Sequence, residues 1–351
     1  MRLKRILVVL LMLVSVGFLT THREIKAEPL AKDEEFRGVW VSPLVTDYLG
    51  YLSETQFKSE LNTIFDNIEY FNMNSIVFHV RIMNDAFYPS IYSNYSRYHQ
   101  GVKTFDPLAW AIEEAHNRGI EFHAWLNPYR IQNAGASSEA ERKALAAKHP
   151  ALNAASDYRN ILGTDSQAIL NPGSPAVREF LLNVCEELVT NYDVDTIHFD
   201  DYFYIAGIGQ DATTALDRAE YELYNPNNLS LEDWRREQVD IFIQDLRSLL
   251  NNYNLYNGKA VQLGISPSGI YRNGNGQITY DAYGNAITNG SDTRGFSHYD
   301  YYLYADTLKW ANEGWIDYLI PQSYWSFTQT NVEFPKVMGW WDAALKYKKC
   351  K

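Results

Sequence analysis

The chain has 351 residues, a formal net charge of −12 and an aromatic content of 15 %. That length suffices for one large domain with an ample core, and 46 % apolar against 21 % charged residues excludes a mostly disordered chain. The acidic balance argues against a nucleic-acid partner, which needs a basic face, and two cysteines can build neither a disulfide scaffold nor a four-cysteine zinc site.

Arg2, Lys4 and Arg5 precede an apolar run over residues 6–19. A basic start followed by a short apolar segment reads as an export signal, with cleavage expected after Ala27. The run is short for a membrane span of about 20 residues, so an uncleaved signal anchor is the weaker alternative. The expectation is a signal peptide over 1–27, a single domain over 28–351, a secreted or cell-envelope location and no stable membrane span.

From residue 36 a short apolar strand alternates with a helix of 3.6-residue period. Strands are predicted at 36–42, 75–82, 120–126, 196–200, 260–266 and 316–324. Helices are predicted at 54–71, 107–118, 176–191, 231–251 and 301–313. Such alternation implies a parallel sheet with crossover helices. Helix-to-strand connections are tight, whereas strand-to-helix connections are long (127–175, 201–230 and 267–299). Long loops therefore gather at the carboxyl ends of the strands, the face that carries the active site of a (β/α)8 barrel. No GxGxxG follows the first strand and there is no Walker loop, which disfavours a nucleotide-binding sheet.

Side chains alternate across a strand. His79 with Arg81, His123 with Trp125 and Asn127, His198 with Asp200, and Gln322 with Tyr324 form polar sets opposite apolar ones. Inward polar groups need partners or they cost stability, and the repetition across strands points to a polar cleft. Asp200, Asp201 and, after the second strand, Asp85 are the carboxylates. A carboxylate pair can divide the acid and the nucleophile or base of glycoside hydrolysis between its members, and crowding raises the pKa of one. Adjacent aspartates can equally cap a loop or a helix. The 26 Tyr, 16 Phe and 9 Trp suit hydroxyl-rich ligands such as sugars, although an ordinary Tyr-rich core has the same composition. The three strand histidines lack HxH or HExxH spacing, so no metal and no cofactor are expected.

These segments together resemble the glycosyl-hydrolase-like family 10. The carrying stretches are FRGVWVSP at 36–43, VFHVRIMNDAFYPS at 77–90, DPLAWAIEEAHNRGIEFHAWLNPYR at 106–130, ILNPGSPAVREF at 169–180, DTIHFDDYFY at 195–204, GISPSGIYRN at 264–273 and GWIDYLIPQSYW at 314–325. The resemblance implies a TIM-barrel glycosidase domain of bacterial secreted or envelope proteins, some linked to cleaving peptide-free peptidoglycan strands. Two departures stand out. The family usually has Gln where this chain has His79, and it continues past the Trp340-Trp341 helix into strands that close the barrel. Only six βα strands are readable here, so a C-terminally truncated barrel is expected.

The residues assign catalysis to Asp200 as nucleophile or transition-state stabiliser, with Asp201 or Asp85 as acid/base. Orientation of a substrate N-acetyl group by Asp200 and Asp201 is the second mechanism. Arg81, His123, Trp125, Asn127, Tyr129, Arg130, His198, Tyr202, Gln322, Tyr324 and Trp325 are the expected substrate-binding residues, and the partner is a polysaccharide or peptidoglycan glycan. A glycan-binding barrel without turnover is the alternative function.

Overall fold

The computed structural model describes residues 35–350 apart from 45–48, 50–51, 98, 100–104 and 149–156. The expected signal peptide lies outside the described residues. No described helix is long and apolar enough to cross a membrane.

All six predicted strands form, as β1 (Gly38–Val41), β2 (Ser75–Arg81), β3 (Glu121–Leu126), β7 (Thr196–Phe199), β8 (Gln262–Ile265) and β11 (Tyr318–Leu319). They make one parallel sheet in the order β1-β2-β3-β7-β8-β11. The last strand is shorter than expected, although the Ile320 and Gln322 N–H groups beyond it still donate to the Ile265 and Pro267 carbonyls. The connections carry α1 (Glu54–Tyr70), α2 (Pro107–Asn117), α4 (Pro175–Asn191), α6 (Leu231–Asn257) and α7 (Thr307–Asn312). Helix α1 starts at a capping box between Ser53 and Gln56, and α6 stops at Gly258, whose φ of 62° lies in the left-handed region. The helix expected at 301–313 starts only at Thr307, since Tyr302 and Tyr304 have φ of 108° and 51°.

The long loops hold structure of their own. Between β3 and β7 lie β4 (Arg130–Gln132), β5 (Ile161–Gly163) and β6 (Ala168–Leu170), a small antiparallel sheet, with α3 (Glu139–Ala146). Helix α5 (Arg218–Leu223) precedes α6. The hairpin β9 (Ile278–Tyr280) and β10 (Ala286–Thr288) follows β8, and α8 (Phe334–Ala344) follows β11.

The sheet is strongly curled, as its interior contacts require. In a flat sheet β3 and β11 would stand about 14 Å apart, three strand spacings. Yet the Tyr318 hydroxyl of β11 lies 2.7 Å from His123 Nδ1 of β3 and 2.9 Å from His198 Nδ1 of β7. The Phe36 ring, just before β1, stacks on Tyr318 at 5.7 Å, so both edges of the sheet bend toward one interior. Gly264 on β8 makes room for this crossing: a Cβ there would lie 2.0 Å from the Tyr318 ring. Outward residues such as Phe78, Phe122, Ile197 and Leu263 join the helices in the main core. The architecture is a six-stranded parallel half-barrel of the TIM type, as the α/β rhythm predicts.

Candidate active site at the carboxyl ends of the strands

A cleft of about 440 Å³ opens above the half-barrel. Each contributing strand delivers its last inward residue to it: Trp40 and Ser42 from β1, His79 from β2, Trp125 and Asn127 from β3, Asp200 and Tyr202 from β7, and Ser266 from β8. The segment after β11 adds Ile320 to Tyr324, and β4 adds Arg130.

Asp200 is the most constrained group. Asn127 Nδ2 donates to its Oδ2 at 2.5 Å, and Trp125 Nε1 donates to the same oxygen at 3.1 Å. Its Oδ1 is buried without a hydrogen-bond partner among the described residues. Burial, then repulsion from Asp201, pushes the Asp200 carboxyl well above the ordinary aspartate range, against the opposing pull of Arg130 and Trp125. Burial raises Asp201 as well, while Arg130 and Gln322 oppose the shift. The pair therefore favours holding a proton, and two donors on Oδ2 leave Oδ1 as the oxygen to carry it.

The walls are aromatic. The Arg130 guanidinium lies 3.3 Å from the Tyr202 ring centroid, which fixes a cation beside the acid pair. His79 stacks on Trp125 at 3.7 Å with rings 7° from parallel, and its Nδ1 is hydrogen-bonded to Ser42 Oγ at 2.9 Å. Burial, then repulsion from Arg130, lowers His79 to about 3, so its imidazole is neutral. Tyr324 is 85 % exposed and Trp40 38 % exposed, leaving aromatic faces open to a ligand. An open cleft with aromatic walls and a protonatable acid pair can seat a sugar and donate a proton to a leaving oxygen.

The structure brings Asp200, Trp125, Asn127, Arg130, Tyr202, Gln322 and Tyr324 together, with Asp201 at their edge. Six expected residues stand elsewhere. Asp85 accepts hydrogen bonds from the backbone N–H groups of Met83 and Arg97 and lines a separate cavity; it organises a loop. Arg81 is fully buried on the helix side, where it donates to the carbonyls of Asn127 and Pro128 and faces the Phe180 ring. The cause is an irregularity in the β2–β3 register: His79 pairs with Trp125, but Arg81 pairs with Leu126. That extra residue turns Arg81 away from the side His79 occupies. His123 is inward but deep, in a second cavity at the amino ends of the strands. Tyr129 packs in the core against Phe242, and Trp325 closes over Gly269. His198 lies beneath the floor, hydrogen-bonded through Nε2 to Ser266 Oγ at 2.8 Å, and burial holds it neutral.

Trp40, Ser42, His79 and Ser266 are cleft residues that the site assignment omits. Alternation along the first and fifth strands, followed to the carboxyl end, would have found Trp40, Ser42 and Ser266, and on the second strand it already placed His79 inward.

The glycosyl hydrolase-like 10 family profile matches residues 35–351. The chain is 37 % identical to glycosyl hydrolase YngK of Bacillus subtilis over 325 residues, covering 90 % of this chain and 59 % of that protein. The chain belongs to the glycosyl hydrolase-like 10 family. Glycosyl hydrolase DigH of Escherichia coli is 30 % identical over 286 residues, covering 80 % of this chain and 61 % of that relative. The chain thus spans about three-fifths of the length of these family members. Among solved structures, the glycoside hydrolase domain of PgaB from Bordetella bronchiseptica is similar at a TM-score of 0.43 and 14 % identity, over 66 % of this chain and 65 % of that one.

Proposed function

We propose that this chain is a secreted O-glycosyl hydrolase that cleaves an amino-sugar polysaccharide, with peptide-free peptidoglycan strands as its substrate. The observation that carries the reading is Asp200 in the lining of an aromatic cleft with Asp201 beside it, both carboxyls raised by burial and that of Asp200 also by the Asp201 charge. Asp200 is the proton donor to the glycosidic oxygen, because its shift is large and Oδ1 is its unoccupied oxygen. Asp201, the less buried partner, acts as base or stabilises the developing positive charge. Arg130 and Gln322 hold Asp201, while Trp40 and Tyr324 offer faces to sugar rings. Export is supported by the basic residues at 2–5 and the apolar run at 6–19.

The test is mass spectrometry of bare peptidoglycan strands incubated with the protein or with Asp200→Asn. Shortened strands with the parent alone are expected. Cleavage by both would remove Asp200 from the reaction, and binding without cleavage by either would favour a glycan-binding barrel.

A further inference from the structure

Two cleft residues each bury a polar atom that has no partner at hydrogen-bonding geometry among the described residues: His79 Nε2 and Asn127 Oδ1. Both side chains line the cleft with Asp200, and at 1 % exposure His79 lies beneath its surface rather than on it. Buried polar atoms without partners cost stability. A ring nitrogen and an amide oxygen can satisfy each other, provided that the nitrogen carries the proton.

Neighbouring bonds place that proton. Ser42 Oγ accepts from the Leu44 backbone N–H at 3.2 Å, which leaves its own hydroxyl proton for His79 Nδ1 at 2.9 Å. Nδ1 is then the acceptor, and in a neutral ring the proton sits on Nε2. Burial and then Arg130 lower the His79 pKa and keep the ring neutral, while hydrogen bonding to the Asn127 side chain and the Arg81 backbone opposes them. A bond that favours the protonated ring ends on an acceptor, which on the Asn127 side chain is Oδ1. The Asn127 backbone N–H is fixed on the Arg81 carbonyl at 2.9 Å, so rotation of the amide is the freedom left.

We propose that His79 is a positioning residue for Asp200: its Nε2–H holds Asn127 Oδ1, and this aims Asn127 Nδ2 at Asp200 Oδ2. The 2.5 Å bond from Nδ2 to Oδ2 is the result of that aim. The His79 ring also stacks at 3.7 Å on Trp125, the second donor to Oδ2. One buried ring thus supports both donors and leaves Asp200 Oδ1 for the catalytic proton. A flipped amide would turn its oxygen to the carboxylate and favour a proton on Oδ2 instead. This inference rests on the reading of Asp200 as the proton donor and adds the group that orients it.

Two measurements test it. The first is the titration of Asp200 by carbon NMR of aspartate-labelled protein, its signal assigned by loss in Asp200→Asn. A donor on a carboxylate stabilises the charged form. His79→Leu removes the ring nitrogens, and the Asp200 midpoint is expected to rise by about one pH unit. His79→Gln again offers an acceptor for Ser42 and a donor for Asn127, and is expected to bring the midpoint back toward the parent value. Ser42→Ala keeps the ring and frees Nδ1 to take the proton. It is expected to move the midpoint in the same direction as His79→Leu, by less. Asp201, Arg130, Tyr202 and Tyr324 also face Asp200, and His198 lies near His79; all are unchanged in these variants.

The second is the release of new reducing ends from peptide-free peptidoglycan strands. In His79→Leu kcat is expected to fall about ten- to a hundredfold with KM within about twofold, and His79→Gln is expected to recover most of the loss. An Asp200 midpoint unmoved in both His79→Leu and Ser42→Ala would overturn the proposal. If His79→Leu fails to fold, an unmoved midpoint in Ser42→Ala overturns it by itself. Equal losses of kcat in His79→Leu and His79→Gln would also overturn it, because packing alone would then be the role of the ring. A parent that releases no ends would remove the hydrolase reading, and the titration would still decide whether His79 orients Asn127.

Discussion

Asp200 couples function to a cost in stability. Burial and the Asp201 charge raise its pKa in the folded chain, whereas an unfolded aspartate titrates near its usual value of about 3.9. The folded state therefore binds the proton more tightly. The stabilisation from that proton is complete below the unfolded pKa and is lost as pH rises through the folded one. Asp240, raised to about 6 by burial against the opposing pull of Lys309, acts in the same direction. It is common to parent and variant and cancels in their difference. Asp200→Asn keeps an oxygen for Trp125 and Asn127 but carries no charge. Its melting temperature is expected to match the parent near pH 4 and to exceed it by a few degrees near pH 8. A constant difference across that range in thermal melts would show that Asp200 titrates normally. Activity is expected to fall as pH rises through the raised pKa, since the donor loses its proton, and a pH–rate profile that keeps rising there would oppose the assignment.

The second scale is the strand and what it carries inward. Tyr318 crosses the half-barrel to stand between His123 and His198, and His198 in turn supports Ser266 in the cleft. A hydroxyl can donate to one imidazole and accept from the other. Tyr318→Phe leaves both Nδ1 atoms without that partner and is expected to cost about 1–3 kcal/mol, read from the urea midpoint. Gly264→Ala drives a methyl into the Tyr318 ring and is expected to cost at least as much. A near-wild-type midpoint for both would mean that the sheet is less curled than described.

These strands also show what sequence can and cannot reveal. Alternation identified the inward set on β3 and β7 correctly, because period-2 patterning follows from backbone geometry alone. It gives a side and not a depth. His123 and Asn127 share a face, yet four residues of rise, about 13 Å, separate the bottom of the barrel from the cleft. It also assumes an unbroken register, and the irregularity at the end of β2 reversed Arg81 without any mark in composition. The antiparallel sheet of β4, β5 and β6 was hidden because its strands of three residues are too short to display a period. Yet Arg130 reaches the cleft from β4, and its place beside Asp200 depends on that sheet.

At the scale of the whole molecule, the decisive question is whether a six-stranded half-barrel behaves as one folding unit. The outer strands β1 and β11 each pair on one side only among the described residues, and unpaired edges weaken a sheet. Interior contacts work against that weakness, because Phe36 and Tyr318 join the two edges across the barrel. Segments far apart in the sequence also meet in a common core. Cys185, on α4, and Cys350, beyond α8, are both buried and part of the same apolar cluster. The segment carrying Cys350 is tied down independently: the Tyr280 hydroxyl donates to the Ala343 carbonyl, and Tyr280 meets Tyr347 edge to face at 4.8 Å. Because one cluster contains both thiols, they are expected to resist modification in the native protein and to become reactive over the same narrow range of denaturant. Thiol labelling along a urea gradient, resolved by peptide mass, measures each cysteine separately. Coincident midpoints would establish a cooperative unit and argue against the instability expected of an incomplete barrel. Exposure of Cys350 well before Cys185 would instead show that the C-terminal third, which supplies Gln322 and Tyr324 to the cleft, opens by itself.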